Sequence, residues 1–242
     1  MPAVTYIVAS TMRTGSYLLC EGLEASRCAG HPREIFCPGR RENYTGEWKL
    51  PPDNGWDDYL RTVLEKSATE NGIVGMKIHA HHIKPMADEG GITGEPWRVL
   101  LKFYPDARYI HLRRRDRRAQ AISWYRAEIT NEWWSIANVK DWDLTGKKPQ
   151  FNAAEIRQFE IKLGQQQQIW DDFFAAQPVP VMTMDYETLA AHYRDEVARA
   201  LAFIGEDPEL ARELPEPRMQ RQSDSTSEEW HRRMDAEFPV KS

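Results

Sequence analysis

The chain opens with the feature that most constrains its fold, an apolar β-prone run, a tight polar turn and a helix-like stretch in immediate succession. Val4 to Ala9 reads as a buried strand. Ser10-Thr11-Met12-Arg13-Thr14-Gly15-Ser16 is the turn, and Tyr17 to Ala25 has helical character, with Leu18, Leu19 and Leu23 supplying apolar surface. Strand, turn and helix in this order begin an α/β fold.

The pattern recurs down the chain. Further strands are expected at Gly72–Ile78, Arg108–Leu112 and Val179–Met184. Helices are expected at Asp57–Thr69, Arg117–Thr130, Ala153–Ala175 and His192–Ile204, with Asp116 as an N-cap. Alternation of this kind predicts a mainly parallel central sheet flanked by helices. Residues 1–242 suit one domain. Overlapping capping-box patterns at Ser225 to Glu229 predict a last helix from Ser227 to Glu237. Trp133 to Gln150 fits neither element and reads as a substrate lid or a loop.

Composition narrows the partners. The net charge of −5 gives no global basic field for nucleic acid, so any polyanion site must come from local clustering. The three cysteines, Cys20, Cys28 and Cys37, match no zinc spacing and read as reduced thiols. No basic leader precedes the first strand, and no apolar run approaches the ~20 residues of a membrane span. A cytoplasmic location is expected.

Two basic clusters follow strands. The first turn carries Arg13, Thr14, Gly15 and Ser16 at the start of a helix, where backbone amides and the helix dipole attract phosphate or sulfate oxygens. It lacks the first glycine and the Lys-Ser/Thr pair of the strict nucleotide-triphosphate loop, which disfavours a magnesium-dependent kinase. The second cluster is Arg113-Arg114-Arg115 at the end of the third predicted strand, with Ser123 two helical turns into the next helix. Arginine with a hydroxyl suits a terminal phosphate. The ordinary alternatives are a capped helix start and a solvated charge run.

His79 and His81 read as alternating on one strand face, a spacing that holds a metal if His111 or a carboxylate joins them; a polar pocket wall is the plainer reading. Of the nine tryptophans, Trp124 and Trp170 read as packing residues. Trp133, Trp134 and Trp142 are candidates for stacking on sugars or for packing.

Taken together these segments resemble the bacterial trehalose 2-sulfotransferase family. Ala9 to Leu19 is similar to the 5′-phosphosulfate loop of sulfotransferases, and His111 to Asp116 continued by Gln120 to Ala127 resembles the family's 3′-phosphate strand and helix. Gly30-His31-Pro32-Arg33-Glu34-Ile35-Phe36 resembles the stretch with its catalytic glutamate, and Val74-Gly75-Met76-Lys77 its second strand. Asp185 to Leu189, Arg221 to Asp224 and Glu229-Trp230 are similar to later motifs in the same order.

The resemblance implies a P-loop-like three-layer fold, a homodimer, and 3′-phosphoadenosine 5′-phosphosulfate as sulfuryl donor without a metal. It implies donor binding by Arg13, Thr14, Gly15, Ser16, Tyr17, Arg114, Ser123 and Arg221. Arg114 is chosen over Arg113 and Arg115 by register. Glu34 is the expected base, Lys77 reaches the sulfuryl or bridging oxygens, and His79 is the rival base through a Lys-x-His pattern. The acceptor is a small hydroxyl compound, a carbohydrate such as trehalose or another glycoside. The competing classes are a magnesium-dependent small-molecule kinase, a non-catalytic glycan-binding protein, and a metal hydrolase built on His79 and His81.

Overall fold

A computed structural model describes residues 3–37, 39–51, 55–133, 149–218 and 224–239. Four strands form one parallel sheet: β1 (Val4–Ser10), β2 (Ile73–His79), β3 (Arg108–Arg113) and β4 (Val181–Asp185), in spatial order β2-β1-β3-β4. The chain leaves β1 toward one side of the sheet and returns to β3 on the other. The switch point, where a crevice opens beyond the strand ends, therefore lies between β1 and β3.

Helices cover both faces. Side chains alternate along β1 because the strand period is two. Tyr6 and Val8 pack with Leu19 and Leu23 of α1 (Ser16–Ala25), with Leu189 of α8 (Tyr186–Ala191), and with Val197 and Leu201 of α9 (Tyr193–Ile204). Ile7 and Ala9 face the opposite layer. They join Tyr59 and Val63 of α3 (Trp56–Lys66), Ile83 and Met86 of α4 (Ala80–Glu89), Val99 and Leu100 of α5 (Arg98–Phe103), and Trp170 and Phe173 of α7 (Ala153–Ala176). This is the expected three-layer α/β arrangement. A third cluster, with Ile122 and Tyr125 of α6 (Arg117–Thr130), Ile156 of α7, and Trp230 and Met234 of α10 (Ser225–Glu237), fastens the C-terminal helix.

Arg118 sits at the base of that cluster. It donates to Glu160 Oε1 at 2.8 Å, to the Phe238 carbonyl at 2.8 Å and to Asp235. A buried guanidinium needs such partners, so this pairing fixes α10 against α6 and α7.

The element boundaries correct several expectations. The second strand begins at Ile73 and ends at His79, so His81 lies in α4 and not on a strand face. β4 starts at Val181; Pro180 lies before it, and its carbonyl accepts from Tyr109 N at 2.8 Å. The last helix starts at Ser225, capped by Asp224, whose carboxylate accepts from Ser227 N at 2.9 Å. The short helix α2 (Arg41–Glu47) was not expected, nor were α4 and α5. No described helix is long and apolar enough to cross a membrane.

Candidate active site

The first turn lies at the switch point. Arg13 and Gly15 both adopt left-handed backbone, with φ of 62° and 80°. Gly15 caps α1, and no side chain caps that helix start. A side chain at Gly15 has no room: a Cβ there would lie 2.3 Å from Tyr186 Cδ2. Alternating backbone of this kind turns successive amides toward one point and makes an anion-binding hollow. Thr14 turns inward, its hydroxyl donating to the Thr11 carbonyl at 3.0 Å.

Neighbouring elements hold the turn rigid. Gln120 of α6 donates to Thr11 Oγ1 at 2.9 Å and to the Met12 carbonyl at 2.6 Å. Met12 N donates to Gln166 Oε1 at 3.3 Å, and Trp170 Nε1 donates to the Ser10 carbonyl at 2.8 Å.

The second basic cluster meets the first at this point. Arg13 Nε donates to Ser123 Oγ at 3.0 Å, and Arg114 Nη1 donates to the Arg13 carbonyl at 3.2 Å. Arg13 also donates to the Trp133 carbonyl. The Arg114 guanidinium stacks over the Tyr186 ring, 4.8 Å from its centroid. Burial, with the Arg114 cation beside it, pushes Arg13 down to about 10. Two guanidiniums crowded together in a partly dry crevice make a strong attractor for an anion. The other arginines turn away: Arg113 lies 3.5 Å from Asp185 Oδ1, and Arg115 lies 3.5 Å from Glu187 Oε2.

Glu34 reaches the site through a single β-bridge. Arg33 pairs with Met76, and Lys77 N donates to the Arg33 carbonyl at 3.0 Å. Gly30, at φ 68°, permits this approach, since a Cβ there would lie 2.4 Å from Gly75 N. Glu34 thus lands beside Lys77 and His79, two residues apart on β2 and so on one face.

The carboxylate has two differently partnered oxygens. Oε2 lies 3.0 Å from Lys77 Nζ and accepts from the Tyr17 hydroxyl at 3.3 Å. Oε1 lies 3.7 Å from His79 Nε2 and 3.5 Å from His82 Nε2. Lys77 Nζ also sits 3.3 Å from the centroid of the Tyr17 ring. Burial pushes Glu34 up, but the His82 ring, the Lys77 ammonium and the His79 ring outweigh it, and the carboxyl lies well below its usual range. Burial lowers Lys77, yet Glu34 reverses this and raises it. His79 is held well below the ordinary imidazole value by burial, against the pull of Glu34.

Glu34, Cys37 and His82 offer ligand atoms within 4.8 Å of one another. The geometry at His82 opposes a metal. The His79 backbone N–H donates to His82 Nδ1 at 3.2 Å, so in the neutral ring the proton sits on Nε2, where the metal would bind. His111, the third histidine considered for a metal, lies on β3 with Nε2 2.9 Å from Gln167 Nε2.

A family model of Stf0 sulphotransferases matches residues 5–237. The chain belongs to that family. Among curated sulfotransferases, it is 29% identical to the trehalose 2-sulfotransferase of Mycolicibacterium smegmatis, over 93% of this chain and 92% of that one. It is 28% identical to the trehalose 2-sulfotransferase of Mycobacterium tuberculosis, over 97% of this chain and 95% of that one. Its fold resembles the crystal structure of a sulfotransferase from Alicyclobacillus acidocaldarius, with a TM-score of 0.56 at 14% identity, covering all of this chain and 98% of that one.

In this sulfotransferase Arg13, Thr14, Gly15, Ser16 and Tyr17 follow one another at the end of β1, Arg114 and Ser123 are bonded to Arg13, and Glu34 is held by Tyr17 and Lys77 with His79 near it. Arg221, Trp134 and Trp142 lie outside the described residues. Arg218 is turned to Glu21 Oε1, with Nε donating at 2.7 Å, and is exposed. Sequence reasoning missed Gln120, Tyr186 and His82 as site-builders. Gln120 and Tyr186 stood inside the segments that carried the family resemblance. His82 had no signal, because its role depends on α4, which was not foreseen.

Proposed function

We propose that this sulfotransferase moves the sulfuryl group of 3′-phosphoadenosine 5′-phosphosulfate onto a hydroxyl of a carbohydrate acceptor of the trehalose class. The observation that carries the reading is the bond from Arg13 to Ser123, with Arg114 bonded to the same turn. It brings the two basic clusters side by side at the switch point between β1 and β3, which supports a single site that serves both charged ends of the donor. The curated relatives named for trehalose support the acceptor class.

When bound, the donor supplies an activated sulfuryl group on a phosphate leaving group. In this reading the amides at the start of α1, that of Thr14 among them, bind its sulfated end with Arg13 and the Ser16 hydroxyl, while the Thr14 hydroxyl, expected to bind the donor, is turned inward to the Thr11 carbonyl. Arg114 and Ser123 bind the ribose 3′-phosphate, and Tyr186 steers Arg114. Lys77 stabilises charge on the transferring group. Glu34 accepts the proton of the acceptor hydroxyl at a carboxylate oxygen. His79 is less suited as the base: burial holds it neutral, but its Nδ1 is already 2.9 Å from Ser10 Oγ and its Nε2 faces Glu34. Arg221 completes the donor site from the C-terminal segment. The enzyme works without a metal and as a homodimer, as the family resemblance supports, and as one catalytic domain in the cytoplasm, as the chain length and the lack of a long apolar run support.

The test is sulfate incorporation. Radiolabelled donor is incubated with the enzyme and with trehalose, other glycosides and non-sugar alcohols. Label in a sugar, abolished by Glu34→Gln, is the expected result. Label in no sugar removes the acceptor class, and full activity of Glu34→Gln moves the base to His79.

A further inference from the structure

We propose that His82 is a positioning residue for this site: a hydrogen-bond donor, locked in one tautomer by the backbone of His79, that holds Glu34 Oε1 in place. The proposal deepens the reading of Glu34 as base and rests on it for its catalytic consequence.

The lock arises where β2 becomes α4. His79 ends the strand and caps the helix, with φ −84° and ψ 150°. Its N–H can only donate, and it donates to His82 Nδ1, three residues into the helix, as in a capping box. His82 Nδ1 must therefore offer a lone pair. A neutral ring then carries its proton on Nε2, and burial keeps His82 below the ordinary imidazole value. The ring is fully buried, and Nε2 has no well-aligned hydrogen-bond partner among the described residues. The acceptor it faces is Glu34 Oε1, at 3.5 Å. A buried N–H aimed at a carboxylate across a slightly long gap needs only a small shift to make a full bond, and leaving it unmade is costly.

The other groups around Glu34 leave this task to α4. Lys77 on β2 and Tyr17 on α1 take Oε2. His79 approaches Oε1 at 3.7 Å, with its other nitrogen tied to Ser10. Cys37, on the same loop as Glu34, adds a thiol hydrogen bond to the carboxylate, and Arg40, just before α2, acts on it electrostatically. His82 thus fixes the oxygen that Lys77 does not, and sets which way the carboxylate faces. In many capping boxes glutamine fills this helix position. A glutamine carbonyl can accept from His79 N–H while its amide donates to Glu34, so His82→Gln keeps both bonds without an ionisable ring.

The experiment combines nitrogen NMR of histidine-labelled wild-type enzyme with kinetics of His82→Gln and His82→Leu. The expected spectrum has His82 protonated at Nε2 and bare at Nδ1, neutral through the range where ordinary imidazoles titrate. His82→Gln should retain kcat within about threefold, while His82→Leu should lose roughly tenfold to a hundredfold in kcat with acceptor KM and nucleotide affinity unchanged. A proton on Nδ1 overturns the proposal. So does a His82→Leu enzyme whose activity falls only in proportion to its folded fraction, as a pure cap would predict. Full activity of Glu34→Gln, measured alongside, would defeat the base reading instead; the tautomer result does not depend on it.

Discussion

Lys77 Nζ and Glu34 Oε2 lie 3.0 Å apart with both side chains buried, an ion pair assembled from a strand and a loop that meet through one β-bridge. A pair in this position is held by mutual dependence, because either charge left alone in the dry crevice is costly. Lys77→Met should therefore destabilise the protein by about 3–5 kcal/mol. The double change Lys77→Met with Glu34→Gln should recover most of that loss while transferring no sulfate. Urea unfolding of the two single variants and the double variant checks this; additive losses would contradict it.

Arg114 stacks on Tyr186 and bonds to the Arg13 carbonyl, whereas Arg113 faces Asp185. Arg114→Ala should cost roughly tenfold to a hundredfold in affinity for the 3′-phosphorylated nucleotide, the range of a lost charge-assisted contact. Arg113→Ala should change it less than about threefold. Calorimetric titration of both variants is the check, and equal losses would remove the assignment by register.

Gly15→Ala meets two obstacles, a left-handed φ of 80° and a Cβ that would lie 2.3 Å from the Tyr186 ring. The backbone alone costs about 1–2 kcal/mol. Relief of the clash must also push Tyr186 out from under Arg114. The expected outcome is a lower melting temperature together with weakened nucleotide binding. Tyr186→Ala in the Gly15→Ala background should restore part of the stability and none of the binding.

His111 makes stability depend on pH. Burial, with Arg113 adding to it, pushes its imidazole down to about 4, and its Nε2 faces the Gln167 amide. The unfolded chain takes up this proton near 6.5, the folded chain only near 4, so the unfolded state binds more protons between those values. The contribution is full above pH 6.5 and is lost as pH falls from about 6.5 to about 4, at most on the order of 3 kcal/mol. Replacing His111 by Gln should flatten this part of the stability profile in urea titrations at successive pH values. An unchanged slope would contradict it.

Much of this arrangement was legible in the residues, for reasons that can be named. β1 is a short apolar run with Arg13 three residues past its end, and β3 runs out into Arg113-Arg114-Arg115, so hydrophobic period and charge agreed on where strands end. Asp116 was readable as a cap because its carboxylate accepts from Ala119 N at 2.8 Å, a purely local bond. α4 was hidden by Pro85 inside it and by His79-Ala80-His81, whose alternation imitates a strand. α2 and α5 are only 7 and 6 residues long, too short for a helical period to show. The pairing of Lys77 with Glu34 joins residues brought together by tertiary structure alone. The family resemblance pointed to both, but no spacing along the chain encodes their contact.

Arg13 and Arg114 at the β1–β3 switch point predict a site that takes a nucleotide with anions at both ends. The most direct measurement is calorimetric titration of the enzyme with 3′-phosphoadenosine 5′-phosphate, ADP and magnesium-ATP at one ionic strength. Binding of the 3′-phosphorylated nucleotide at least tenfold tighter than ADP, with no requirement for magnesium, is the predicted result. Equal affinity for the 3′-phosphorylated nucleotide and ADP, or tightest binding of magnesium-ATP, would contradict it.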